Sequence, residues 1–503
     1  MVDEAEIGYE HGTLYLEEIK RCMLDKGLLS LLDYDMGIFS AKGQFINHYL
    51  NYIHRAEGRL LINNKMRATE GLNFKEILYL LKKMAQDKEA RPVDVLFISR
   101  NRKVKAKTID GYVEGDYIFY SIMDQLSRIH PQIKFDLFII DDVYKGYYYS
   151  TPYDIIFALY LSLKKCLQWR YLRKGIIKRL EEINCENVAE TACHFFQYKP
   201  LMRSLLIGYS MKRVLEMYRP KVIVINDDCI TTKPTVFPQI KFIVMQSARM
   251  AEHLEVCRKI SFEDKGTKPD YFLASGEVFG EMKRRCGAAD EVIVTGLPRY
   301  DVLGDAQKIY SRHDFLKRYN IDPDKKIILW LTQSHGLSDE ENEKTLAAVF
   351  SSMEGLKDVV LIIKQHPAEP PEYAGAIKEH MHRHEINAVL APNNADTIEL
   401  LFNCHLMITK NSTTAMEAVA LGRPVISLNL SGQPLSAEYV REGVALGITD
   451  GSLLKDAIGQ LLKDDHELAA NRQKYIEKYL YRVDGRATQR VIKIILKCLS
   501  KDN

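Results

Sequence analysis

The chain has 503 residues, 46% of them hydrophobic and 27% charged, with a formal net charge of +3. That length exceeds one ordinary core and implies two large domains; the composition is that of a soluble globular protein. So small a net charge excludes general polyanion binding and argues against nucleic acid as a partner.

The nine cysteines are odd in number and scattered, with no Cys-x-x-Cys pair, which fits a reducing cytosol better than a disulfide framework or a zinc site. The first residues, Met1-Val2-Asp3-Glu4-Ala5-Glu6, are acidic and unlike a signal peptide. No apolar run approaches the roughly 20 residues of a membrane span. The expected location is cytoplasmic.

Residues 1–90 carry helical spacing, as in Leu14-Tyr15-Leu16-Glu17-Glu18-Ile19-Lys20, and predict a helical extension. Short apolar runs at 93–98, 135–140, 222–225, 242–245, 271–275 and 292–295 alternate with helical patterns and predict a parallel, doubly wound sheet over residues 91–304. Within it, residues 155–180 hold Lys164, Lys165, Arg170, Arg173, Lys174, Lys178 and Arg179 with no acidic residue. This segment reads either as a basic helix on an anionic membrane surface, reached from the cytoplasmic side, or as an amphipathic helix packed on the sheet.

A charged helical stretch at 306–319 and the turn Asp322-Pro323-Asp324 predict a linker over 305–324. A second strand series begins at Ile327-Ile328-Leu329-Trp330-Leu331 and predicts another Rossmann-like domain over 325–485. A final helix at 486–503 is expected to cross back onto the first domain.

The most informative stretch is Lys410-Asn411-Ser412-Thr413-Thr414-Ala415-Met416-Glu417, between the apolar run Leu406-Met407-Ile408 and Gly422-Arg423-Pro424-Val425-Ile426. It reads as strand, polar turn, helix closed by Gly422, and strand. Backbone N–H groups and hydroxyls at a helix start favour an anion, so Asn411, Ser412, Thr413 and Thr414 are candidate diphosphate ligands.

Doubly wound sheets hold ligands beyond the carboxyl ends of their strands. Gln333 and Ser334 in Thr332-Gln333-Ser334-His335-Gly336, and Lys364 and His366 in Lys364-Gln365-His366-Pro367, are therefore candidates for the same cleft, each with an ordinary strand-end reading beside it. Glu417 is either an acceptor for ribose hydroxyls or a first-turn carboxylate favoured by the helix dipole. Arg299, in Thr295-Gly296-Leu297-Pro298-Arg299-Tyr300-Asp301, either meets phosphates with its planar fork or pairs with Asp301 or another carboxylate in the linker. There is no P-loop, no zinc-protease helix and no nucleophile elbow, so no cofactor and no metal are expected.

The four segments around Arg299, His366, Ser412 and Arg423, in this order, resemble the C-terminal half of a GT-B glycosyltransferase. Within that fold they are similar to the CDP-glycerol glycerophosphotransferase and surface (capsule) carbohydrate biosynthesis group. The resemblance implies an α/β fold of two Rossmann-like domains facing a cleft. It implies a CDP-, CMP- or UDP-linked donor on the second domain, and transfer of a sugar or polyol phosphate to a surface-glycan or lipid-linked acceptor on the first.

His366-Pro367 and Ser412-Thr413 resemble the His-Pro and Ser-Ser/Thr pairs with which capsule sialyltransferases bind their nucleotide donor. Retaining GT-B enzymes often carry a second glutamate eight positions before the one matching Glu417. Thr409 stands there, which implies an inverting displacement. Candidate bases for the acceptor hydroxyl are Asp227 and Asp228, after the strand at 222–225, and Glu114 or Asp110, in a loop after the first strand. Gln246-Ser247-Ala248 departs from the Gln-His-Gly turn of the surface-carbohydrate enzymes. A nucleotide-sugar 2-epimerase of the same fold and a non-catalytic nucleotide-sugar-binding scaffold are the alternative readings.

Overall fold

The computed structural model describes residues 91–100, 103–139, 174–185, 214–226, 237–247, 268–285 and 287–500 apart from 288, 335–336, 368, 433–434 and 436–437, with a few positions before residue 33 and Met211. Most of the expected extension at 1–90 lies outside the described residues, although Lys26–Leu32 is helical. Asp227, Asp228 and residues 155–173 of the basic segment also lie outside them.

The apolar runs of the first half become β1 (Val95–Ser99), β4 (Phe135–Ile139), β5 (Val222–Asn226), β6 (Lys241–Met245), β7 (Tyr271–Ala274) and β8 (Glu291–Val294). They form one parallel sheet in the order β4-β1-β5-β6-β7-β8. β-Branched and aromatic side chains fill both faces because successive residues point to opposite sides. Leu96 and Ile98 of β1 enter one core, while Val95 and Phe97 enter another.

Residues 103–116, read from sequence as a loop, instead form an antiparallel ribbon of β2 (Lys103–Thr108) and β3 (Gly111–Asp116). The polar/apolar alternation Lys103-Val104-Lys105-Ala106-Lys107 supplies the period of two. Ile109-Asp110 forms the turn, and Gly111, which opens β3, takes a φ of 115°.

The second sheet holds β9 (Lys326–Leu331), β10 (Val359–Lys364), β11 (Ala388–Leu390), β12 (Leu406–Thr409), β13 (Val425–Leu428) and β14 (Leu446–Ile448). It too is parallel, in the order β11-β10-β9-β12-β13-β14. Ile327, Leu329 and Leu331 face the same core as Leu96 and Ile98, joined through Leu297, Tyr300, Leu303 and Phe315. One apolar interior thus runs from the first sheet to the second. With two doubly wound parallel sheets, the chain has the GT-B fold.

Between the sheets, the charged stretch is two helices rather than one, Ala306–Ile309 and Arg312–Tyr319. Ser311 breaks it by capping the second, its hydroxyl accepting from the Asp314 N–H at 3.2 Å. The last helix, Ala487–Ser500, packs Val491, Ile492 and Ile495 against Val95, Phe97, Val222 and Val224 of the first sheet. Asp301 anchors its start by accepting from the Ala487 and Thr488 N–H groups at 2.7 and 2.8 Å. Among the described residues, no helix is long and apolar enough to cross a membrane.

Candidate functional site

Strand order reverses in the second sheet at β9 and β12, so the loops leaving these two strands diverge and open a crevice. Gln333, after β9, spans it. Its carbonyl accepts from the Thr409 hydroxyl at 3.0 Å and the Asn411 N–H at 2.8 Å, and its amide donates to Asn411 Oδ1 at 2.9 Å. Gln333 and Asn411 are therefore partners that shape the turn after β12.

In that turn, the Ser412 hydroxyl accepts from the Thr414 N–H at 3.2 Å and donates to Thr414 Oγ1 at 2.9 Å. The helix Thr414–Ala420 follows, with Thr413 at its cap position offering no side-chain bond to the backbone. The Lys410 carbonyl is held by the Ser427 hydroxyl at 2.7 Å, and burial draws the Lys410 amine below its usual range. A small cleft adjoins these groups, with Gln333, Asn342, Thr345, Thr409, Lys410 and Asn429 in its wall.

Lys364 and His366 follow β10, next to β9. The Lys364 side chain is buried and its ammonium donates to the carbonyls of Asn393 at 3.3 Å and Gln365 at 3.5 Å. Burial lowers its pKa, against the opposing fields of Asp396 and Glu369. The His366 side chain is exposed at the rim, while its backbone N–H donates to Glu369 at 3.1 Å.

Glu369 did not emerge from the sequence reading. Its carboxylate also accepts from the Thr332 hydroxyl and the Ser334 N–H, both at 2.5 Å. The signal for it was a carboxylate three residues beyond His366, the spacing at which a side chain returns to a backbone N–H. The Ser334 hydroxyl is buried beside it without a partner.

Arg299 reaches this region from the connection between the sheets. Its guanidinium stacks on Tyr300 with 4.4 Å to the ring centroid, donates to the hydroxyls of Tyr300 at 2.7 Å and of Tyr117, and lies 3.8 Å from the Glu417 carboxylate. Both charged side chains are nearly buried, at 9% and 10% exposure, and Nε of Arg299 has no partner. Burial pushes the Glu417 carboxyl above the usual carboxylate range, with Arg299 and the Tyr300 hydroxyl pulling the other way. Arg299 thus pairs with Glu417 of the second sheet's helix, not with Asp301, and joins Tyr117 of the first half to the helix that follows the Ser412–Thr414 turn.

Two of the candidate acids on the first half are paired with basic side chains of that half. Glu114 is exposed on β3 and pairs with Lys105 at 3.6 Å; Asp110 pairs with Arg128. The Gln246 carbonyl accepts from the Ser275 N–H at 2.8 Å, which ties β6 to β7. Among the described residues, no group of three His, Cys, Asp or Glu is arranged to hold a metal ion.

What the second-half arrangement can offer chemically is a hydroxyl-rich turn at a helix start, on a helix whose Glu417 is paired with a buried guanidinium, a combination able to receive an anion. Three solved structures share the general architecture. Wall teichoic acid polymerase TagF, soaked with CDPG, has a TM-score of 0.47 and 13% identity, covering 91% of this chain and 98% of its own. The S. aureus MnaA–UDP structure has a TM-score of 0.46 and 16% identity, covering 81% and 96%. UDP-GlcNAc 2-epimerase from Methanocaldococcus jannaschii has a TM-score of 0.44 and 14% identity, covering 80% and 99%. No curated protein matches the chain in sequence. The model of the CDP-glycerol:poly(glycerophosphate) glycerophosphotransferase family matches residues 203–497, which take in β5 through β14, the Ser412–Thr414 turn and most of the returning helix. A match over more than half of the chain, including that turn and the Arg299 connection, makes this protein a member of that glycerophosphotransferase family.

Proposed function

We propose that the protein transfers a glycerol phosphate, or a related polyol phosphate or sugar, from a nucleotide-activated donor to a surface-glycan or lipid-linked acceptor, with CDP-glycerol as the leading donor. The observation that carries the reading is the Ser412–Thr414 turn with the buried Arg299 beside Glu417, inside the span of the family match. In this reading Ser412, Thr413 and Thr414 bind the diphosphate and His366 donates to a phosphate oxygen from the rim. Lys364, Gln333, Ser334 and Asn411 shape and line the seat. Glu417 meets the ribose when the donor draws Arg299 toward its phosphates.

Charge on the leaving nucleotide is offset by fixed donors and the guanidinium, so no metal is required. Thr409, eight residues before Glu417, is buried and bonded to Gln333, and offers no carboxylate for a retaining route. The displacement is read as inverting at the reacting centre. The base is assigned to Asp227 or Asp228, which follow β5 where the first sheet reverses its strand order. The basic segment at 155–180 is assigned to an anionic membrane surface on the cytoplasmic side, beside the acceptor.

Calorimetry and thermal shift with CMP, CDP, CDP-glycerol, UDP and UDP-GlcNAc, on wild type and His366→Ala, test this. A cytidine ligand at about 100 times its Kd should stabilise the wild type by about 2.7 kcal/mol. His366→Ala should weaken it about tenfold. Selective binding of UDP-GlcNAc would favour the epimerase reading, and no binding by any nucleotide would sink the donor assignment.

A further inference from the structure

The groups of the anion seat arise from loops after three different strands, and such loops hold a common geometry only if something ties them together. Gln333 ties the loop after β9 to the turn after β12. Glu369 ties the same loop to the one after β10, through the Thr332 hydroxyl, the Ser334 N–H and the His366 N–H. Its own N–H returns to the His366 carbonyl at 3.0 Å, so residues 366–369 close a turn from both ends.

We propose that Glu369 is the positioning residue of the donor seat: without touching the donor, it fixes His366 and Ser334 relative to the Ser412–Thr414 turn. The proposal rests on the donor reading given above. Two converging backbone N–H groups and a hydroxyl require a side chain that only accepts, on both oxygens. A carboxylate satisfies all three. Glutamine of the same length turns an NH₂ group toward one of the N–H donors. Donors fixed before the ligand arrives need no reorganisation when charge develops, which is the advantage such a tie confers.

The test uses the full chain as wild type, Glu369→Gln, Glu369→Ala and Thr332→Val. CMP and CDP-glycerol affinity is read by calorimetry, and hydrogen exchange at the Ser334 and His366 amides by NMR or mass spectrometry. Both Glu369 variants should bind nucleotide about tenfold or more weakly, because bonds to a charged group are lost. Thr332→Val, which removes one bond and leaves two, should cost only about threefold. In the Glu369 variants the two amides should exchange rapidly while the melting temperature stays close to that of wild type.

Nucleotide affinity within twofold of wild type in Glu369→Ala, or amides still protected in it, overturns the proposal. A fall in melting temperature with unchanged affinity overturns it as well, since that is all a purely structural residue produces. If the wild type binds no nucleotide, the donor assignment fails separately. Exchange then still decides whether Glu369 organises the loops: lost protection retains that role and kept protection removes it.

Discussion

The two sheets share parallel pairing and a reversal of strand order, yet the carboxyl ends of their strands are used differently. In the second sheet, the loops after β9, β10 and β12 are bonded to one another by Gln333 and Glu369, and the helix after β12 carries Glu417, which pairs with Arg299. In the first sheet, the end of β7 is covered by the chain returning from the other half. The Ser275 hydroxyl donates to the Tyr479 carbonyl at 3.1 Å, and Gly276 lies flat against the backbone of Lys478 and Tyr479. Toward its reversal at β1 and β5, the Ser99 hydroxyl is buried with no partner. One sheet's strand ends are tied to one another, and part of the other's is covered by returning chain. The lesson is that equal topology does not give equal sites; what closes over the strand ends decides which one remains for a ligand.

The largest expected effect comes from breaking the link between the halves. Glu417→Ala leaves the buried Arg299 without a countercharge and should destabilise by about 3–5 kcal/mol. Urea unfolding followed through Trp330 and the tyrosines measures it, and a loss under about 1 kcal/mol would show that this pair does not join the two halves. Next is the cover over the first sheet. A Cβ at Gly276 meets Tyr479 backbone atoms at 2.4 and 2.5 Å, so Gly276→Ala must displace main chain. About 1–3 kcal/mol is expected, with exchange rising at Ser275 and not at Ser334; equal changes at both sites would erase the distinction drawn here.

The smallest effect is a pH dependence lodged under β9. His405 accepts the Ile327 N–H on Nδ1 at 2.8 Å, and burial, aided by Arg312, Lys326 and Arg423, holds its pKa down to about 4. The folded state therefore favours the neutral ring. As pH falls below about 6.5 the unfolded chain takes up a proton that the folded one refuses, and stability declines until the folded ring titrates near pH 4. With partial solvent screening the loss is on the order of 1–2 kcal/mol. His405→Asn keeps an acceptor for Ile327 and should flatten the decline between these pH values; an unaltered slope would assign it to another group.

Much of the second half was legible because local rules and chain order write it. Apolar runs of strand length, a hydroxyl-rich turn and a closing glycine lie next to one another in sequence, so residues 406–426 announce strand, turn, helix and strand. Ends of strands in a doubly wound sheet converge by topology, which brought His366, Lys364 and Gln333 toward one place. Glu369 escaped because its role depends on two loops meeting. The ribbon at 103–116 escaped because short alternating segments with a polar turn read equally as loop.

What the sequence alone determined, then, is what periodicity and adjacent chemistry determine: the parallel strands, the hydroxyl-rich turn before a helix and the two-sheet class. Only the tertiary structure decided partners. Arg299 faces Glu417 across more than a hundred residues, Asp301 caps the returning helix instead of pairing with Arg299, and Gln333 shapes the turn after β12. A side chain's partner is set by which buried donors and acceptors are left unsatisfied once the sheets have packed, and that account closes only in three dimensions.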